Sequence, residues 1–234
     1  MNCVASVLVA AAVGAGGHAK SIAYDSFNYG NHFYHVVAVN PVDCSVRTVH
    51  QDWLTSVHTM VDRSQPKVAI TGTFFSPGSQ KCVADVCVDG NLVARGARGT
   101  TVAVDYYGNV SIFDEPFNSK IDWTQYQFGL RGAVRVVDGG KVAPNPKAQR
   151  FHDPAIWGKA SRTGLGLTKA GKVLLFATSN GVTLSEFGKA MKSRGVRNGV
   201  SLDGGASTCM YYNGTFVVAP HRKLCNLLVV SEKP

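Results

Sequence analysis

Short runs of β-branched and aromatic residues, each bounded by a turn signal, recur along most of the chain, and two stretches break into helical spacing. Residues 33–40 (Phe-Tyr-His-Val-Val-Ala-Val-Asn) predict a strand. Residues 52–63 predict a helix, because Leu54, Val57, Met60 and Val61 fall at helical spacing and Pro66 closes the segment before a strand at 67–71. Hairpins are expected where 101–105 and 109–113 flank a Tyr-Gly turn, and where 134–137 and 141–143 flank Asp138-Gly139-Gly140. Pro144, Pro146 and Pro154 make 117–154 the least regular part, with long loops near its end. A further hairpin pairs 162–168 with 172–178 around Ala170-Gly171.

The clearest helix follows. Thr183 and Glu186 form a capping box, Leu184, Phe187 and Met191 make the apolar stripe, and Gly195 is placed to end it in the left-handed conformation. Strand 199–202, a hairpin of 209–212 and 215–219 about Asn213-Gly214, and a closing strand 227–230 complete the pattern. Strands outnumber helices and do not alternate with them regularly. The predicted class is therefore α+β, a single domain at 20–234 with a mixed, largely antiparallel sheet and a few packed helices, and not a doubly wound nucleotide fold.

Composition narrows this picture in three ways. With 234 residues, 45% hydrophobic and 17% charged, the chain has the balance of one globular domain. The formal charge of +9 favours anionic partners, yet the basic residues are scattered and no zinc-finger or helix-turn-helix spacing supports nucleic acid. Residues 4–17 form an alanine-rich apolar run ending at Gly17-His18-Ala19, so residues 1–19 read as a signal peptide with a weak n-region, the alternatives being a mis-assigned start or a buried first strand. Export implies a secreted, periplasmic or cell-envelope location and permits disulfides. Of six cysteines, Cys3 lies in the leader, and Cys82 with Cys87 is the expected local pair; no zinc spacing is present.

Candidate chemistry concentrates at Ser201-Leu202-Asp203-Gly204-Gly205-Ala206-Ser207-Thr208, where an apolar strand delivers a carboxylate beside two glycines and two hydroxyls. Taken with Ala69-Ile70-Thr71-Gly72-Thr73-Phe74-Phe75, with Arg162-Thr163-Gly164-Leu165-Gly166 and with the closing segment 222–230, it resembles the phosphodiester glycosidase family over roughly residues 30–231. One departure is Thr71, where that family usually carries asparagine; a threonine hydroxyl can still donate one hydrogen bond.

The resemblance implies hydrolysis of a sugar-1-phosphodiester through an oxocarbenium-like state with phosphate leaving. Asp203 is then the sugar-side carboxylate, as nucleophile or as base for water, and Arg162 the guanidinium that grips phosphate. Asp153 or His152 would supply a second acid or base, and equally suits a plain loop role. Thr71, Gly72, Phe75, Gly204, Gly205, Ser207, Thr208 and Arg222 form the implied substrate-binding set. No metal ligands are assigned and no cofactor is expected, although Asp203 with neighbouring hydroxyls and carbonyls is of the oxygen-rich type that takes calcium. Two other functions stay open at this level: a non-catalytic glycan-binding or envelope-associated domain of the same fold, and a phosphodiesterase that cleaves the phosphorus–oxygen bond. The expected partner is a phosphorylated glycan.

Overall fold

The computed structural model describes residues 20–233. The expected leader therefore lies outside the described residues. In chain order the elements are β1 (Ile22–Tyr29), β2 (His32–Val39), β3 (Cys44–Thr55), α1 (Val57–Ser64), β4 (Val68–Thr71), β5 (Val86–Val88), β6 (Asn91–Ala94), β7 (Thr100–Asp105), β8 (Val110–Asp114), β9 (Tyr126–Asp138) and β10 (Lys141–Val142). They continue with α2 (Pro154–Trp157), β11 (Ala160–Thr168), β12 (Val173–Val182), α3 (Leu184–Ser193), β13 (Val196–Ser201), β14 (Met210–Tyr212), β15 (Thr215–Val218) and β16 (Leu224–Glu232).

Two sheets result. The larger runs β1-β2-β12-β11-β13-β9-β5-β6, with β7, β8 and β10 attached through β9, and the smaller runs β15-β14-β4-β16-β3. The pairings among the described residues are antiparallel, so the largely antiparallel sheet expected from sequence is present without a parallel, mixed part, in an architecture more sheet-dominated than expected.

Period-two alternation accounts for the layering. Along β12, Val173, Leu175 and Ala177 face the core between the sheets, while Leu174 and Phe176 face the outer side. Along β16, Leu228 and Val230 point inward and Leu227 and Val229 outward. Strands apolar on both faces need cover on both. Helix α3 supplies it for the large sheet through Phe187, Ala190 and Met191 against Phe176 and Val136. Helix α1 supplies it for the small sheet through Val57, Met60 and Val61 against Ala69, Leu227 and Val229. The order is helix, sheet, sheet, helix.

The capping box of α3 is present, with Thr183 Oγ1 accepting from the Glu186 amide and the Glu186 carboxylate accepting from the Thr183 amide. The first expected helix is shorter than its spacing implied. Residues 52–55 belong to the end of β3, which pairs with β16, and the helix begins only after Ser56. None of the described helices is long and apolar enough to cross a membrane.

Candidate active site

Antiparallel pairing gathers five chain segments at one end of the two sheets. In the small sheet the C-terminal end of β4 lies beside the N-terminal ends of β14 and β16, since Ile70 pairs with Met210 and Thr71 with Leu227. In the large sheet the C-terminal end of β13 lies beside the start of β11, since Ser201 pairs with Gly164. The Asp203 amide then donates to the Gly72 carbonyl at 3.1 Å, which joins the two sheets at this end.

Asp203 is buried. Its Oδ1 accepts from the Gly204 amide at 2.9 Å, and its Oδ2 lies 3.5 Å from Arg222 Nη2. Arg222 Nε also donates to Ser207 Oγ at 2.8 Å, with Nη2 on the same oxygen. The guanidinium stacks 4.5 Å above the Phe75 ring. Burial raises the Asp203 carboxyl above its ordinary value, and the Ser207 hydrogen bond, the Arg222 charge and the Gly204 amide offset part of that rise. The result is a desolvated carboxylate next to a half-exposed cation, with one hydroxyl shared between them.

The glycines serve close approach. A Cβ at Gly204 would lie 2.6 Å from the Ser161 carbonyl, and Gly205 has a φ of +59°, which starts the turn that presents Ser207. At Gly72 a Cβ would lie 1.9 Å from Asn226 Oδ1. Asn226 is buried, accepts from the Thr73 amide at 2.6 Å and donates to the Thr73 carbonyl at 3.0 Å. It thus fixes the segment between β4 and Phe75 from below. Sequence reasoning assigned Asn226 no role, because its partner is 153 residues away and nothing local marks an amide that clamps another segment's main chain.

Several expected roles change with the geometry. Arg162 is buried, its Nε donating to the Val182 carbonyl at 3.2 Å and its Nη2 to the Gly158 carbonyl at 2.5 Å; burial pushes its pKa down to about 10. These two bonds make it a bracket between the start of β11 and the end of β12 and commit two of its five N–H donors to the main chain. Asp153 caps α2, accepting from the Ala155 amide at 2.9 Å, and His152 is exposed beside it. The Thr71 hydroxyl donates to the Ser207 carbonyl at 2.5 Å and accepts from the Cys209 amide at 3.1 Å. It holds the 205–208 turn and has no proton left for a ligand. Thr208 is buried with its hydroxyl unpartnered.

Cys82 and Cys87 are not paired. Residues 84–86 are buried between them, and Cys87 packs with Ala103 and Trp123 while Cys82 turns toward Cys225, Sγ to Sγ 2.8 Å. The five described cysteines are free thiols. The contact with Cys225 and burial push the Cys82 thiol above its ordinary value. Calcium also fits poorly. Both Asp203 oxygens are engaged, one by an amide and one by a guanidinium that would repel a cation, and no cluster of three or more metal-type side chains occurs among the described residues.

The two sheets thus bring a buried carboxylate and a half-exposed arginine together at one end. Residues 64–231 match the phosphodiester glycosidase family, and the chain belongs to it. It is 24% identical over 189 residues to mouse N-acetylglucosamine-1-phosphodiester alpha-N-acetylglucosaminidase, covering 69% of this chain and 35% of the mouse protein, so it spans about a third of that relative's length. The fold is similar to the zebrafish catalytic domain of the same enzyme, solved auto-inhibited by its pro-peptide. The TM-score is 0.73 at 19% identity, over 91% of this chain and 82% of that one. A hypothetical protein from Synechocystis gives a TM-score of 0.70 at 15% identity, covering 91% of this chain and 62% of that one.

Proposed function

We propose that this protein hydrolyses a glycosyl phosphodiester at the anomeric carbon, releasing the free sugar. The observation that carries the reading is the Asp203–Arg222 pair at 3.5 Å, buried on the carboxylate side and half-open on the arginine side. Arg222 is the phosphate anchor, since a guanidinium offers donors to two phosphate oxygens and spreads positive charge where the leaving group gathers negative charge. As phosphate binds, it draws Arg222 away from Asp203. The freed carboxylate, already made more basic by burial, attacks the anomeric carbon or takes a proton from water. Phosphate leaves as a stable anion, so a dedicated general acid is dispensable, consistent with Asp153 being occupied as a helix cap. A phosphate-linked glycan of the cell envelope, reached by an exported protein with a basic surface, is the natural substrate class in this reading.

The test is a panel of sugar-1-phosphodiesters in ¹⁸O-labelled water. The expected products are free sugar carrying the label and an unlabelled phosphomonoester, with Asp203→Asn inactive but still binding substrate. Label in the phosphate would assign phosphorus–oxygen cleavage, and no turnover of any panel member would leave a glycan-binding domain. The engaged Thr71 hydroxyl and the single carboxylate favour that second reading over the phosphodiesterase.

A further inference from the structure

Next to Phe75 lies a cavity of about 340 Å³ whose walls include Phe74, Phe151 and Ile156, with His152 and Asp153 at its side. Half-buried Phe74 packs at 54° against buried Phe151 with ring centroids 5.6 Å apart, giving the cavity an apolar wall of the type against which a sugar ring lays its C–H face. Arg98 lines this cavity and also a second one of about 350 Å³, where Arg135, Arg150, Phe117 and Gln149 contribute. Arg98 Nη1 donates to the Arg150 carbonyl at 3.0 Å, so the residue that lines both cavities is tied to the main chain of a residue lining the second. Both cavities fall in the size range of small-ligand sites, about 300–1,000 Å³.

The charges along this path are unequal. Arg135 is neutralised by Asp114 at 2.6 Å and Asp138 at 3.5 Å. Asp153 is engaged by the α2 amide. Glu115, in the second cavity, is the remaining acid. Arg98 and Arg150 have no carboxylate partner among the described residues, and Arg150 is held over Phe117 at 5.5 Å. From Asp203 outward the order is carboxylate, phosphate-type cation at Arg222, aromatic cavity, then a second cationic position.

We infer that this path is an extended substrate groove for a polymer of sugar phosphodiesters: with the scissile phosphate on Arg222, the next sugar occupies the Phe74–Phe151 cavity and the next phosphate rests on Arg98 and Arg150. The inference deepens the proposed hydrolase and rests on it for the scissile position. Alternation of sugar and phosphate is the ligand chemistry that matches alternation of aromatic surface and arginine. Two exposed arginines contribute about a tenfold gain in affinity for the longer ligand, a gain that shrinks with added salt.

The experiment uses the full chain carrying Asp203→Asn, which blocks turnover. Calorimetry compares a synthetic tetramer of N-acetylglucosamine-1-phosphodiester with the single-repeat methyl phosphodiester. The tetramer is expected to bind about tenfold more tightly, and adding Arg98→Gln with Arg150→Gln is expected to reduce that preference to about twofold or less, with Arg98→Lys keeping most of it. Thermal melting reports whether each variant is folded. Equal affinity for the two lengths, a preference that survives the double substitution, or equally tight binding of a single-stranded oligonucleotide of the same charge would overturn the inference. The hydrolase reading fails separately: an arginine-dependent length preference in a wild-type protein that releases no sugar refutes catalysis and leaves the groove standing.

Discussion

Gly72→Ala tests whether the segment leading to Phe75 is held by Asn226. The added methyl would lie 1.9 Å from Asn226 Oδ1 and 3.0 Å from its Cγ, so the amide must leave. Its two hydrogen bonds to the Thr73 main chain go with it, at 2.6 and 3.0 Å, exposing a buried N–H and C=O to apolar surroundings. Leaving such groups unpaired costs about 1–3 kcal/mol each, so Gly72→Ala should lose about 2–6 kcal/mol. Asn226→Ala alone removes the same bonds and should lose a similar amount. Once the amide is gone, however, the alanine methyl has room. Its nearest remaining neighbour is the Asn226 main-chain carbon at 3.3 Å, and the φ of Gly72 lies outside the left-handed region. The second substitution should then cost less than about 1 kcal/mol, because alanine also narrows the unfolded ensemble. The double-mutant cycle therefore predicts a coupling of about 1–6 kcal/mol, read as urea midpoints in which the double variant lies within about 1 kcal/mol of the Asn226→Ala single. Additive losses would refute the clamp.

Asp203→Asn should stabilise the protein at neutral pH. Burial raises the Asp203 carboxyl, so the folded state holds its proton more tightly than the unfolded chain. Wild type then loses stability as pH rises from the unfolded value of about 3.9 through the raised folded value, whereas asparagine escapes the loss. Melting scans from pH 4 to 8 should show the variant's advantage growing across that window and levelling off above it; no advantage at pH 8 would sink the argument. Arg162→Gln, deprived of its bonds to the Gly158 and Val182 carbonyls, should lose roughly 2–4 kcal/mol in denaturant titrations. Affinity of the Asp203→Asn protein for a sugar-1-phosphodiester should fall with Arg222→Gln and hold with Arg162→Gln, and the reverse order would restore Arg162 as the phosphate anchor.

Features that depend on neighbours in sequence are legible in the chain. The α3 capping box, the Ala170-Gly171 hairpin and the Asn213-Gly214 turn depend on neighbours in sequence, and each stands where its residues put it. The failure at residues 52–55 has a physical cause: helical spacing from Leu54 to Val61 ignores that the first part pairs with β16, some 170 residues on, and long-range pairing overrides local propensity. Strand β1 went unread because Ile22-Ala23-Tyr24-Asp25-Ser26-Phe27 alternates weakly at a sheet edge. Thr71 was placed correctly on its strand, yet nothing local shows that its hydroxyl is taken by Ser207 and Cys209, which enter from 136 and 138 residues away.

The same distances explain why the site and the fold cannot be separated. Asp203 arrives on the large sheet, while Arg222, Phe75 and the Thr71–Ser207 bond belong to the small one. The Asp203 amide on the Gly72 carbonyl is the bond that registers one sheet against the other at this end. A carboxylate set 3.5 Å from its guanidinium by two different sheets depends on how those sheets pack, so a change in the core between them acts on the ion pair without touching either side chain. Leu202 and Ile70 lie in that core, one residue before Asp203 and two before Gly72 respectively. Shortening either should move the pair before it unfolds the domain, because the cavity it opens lies directly under the strand ends that carry the site.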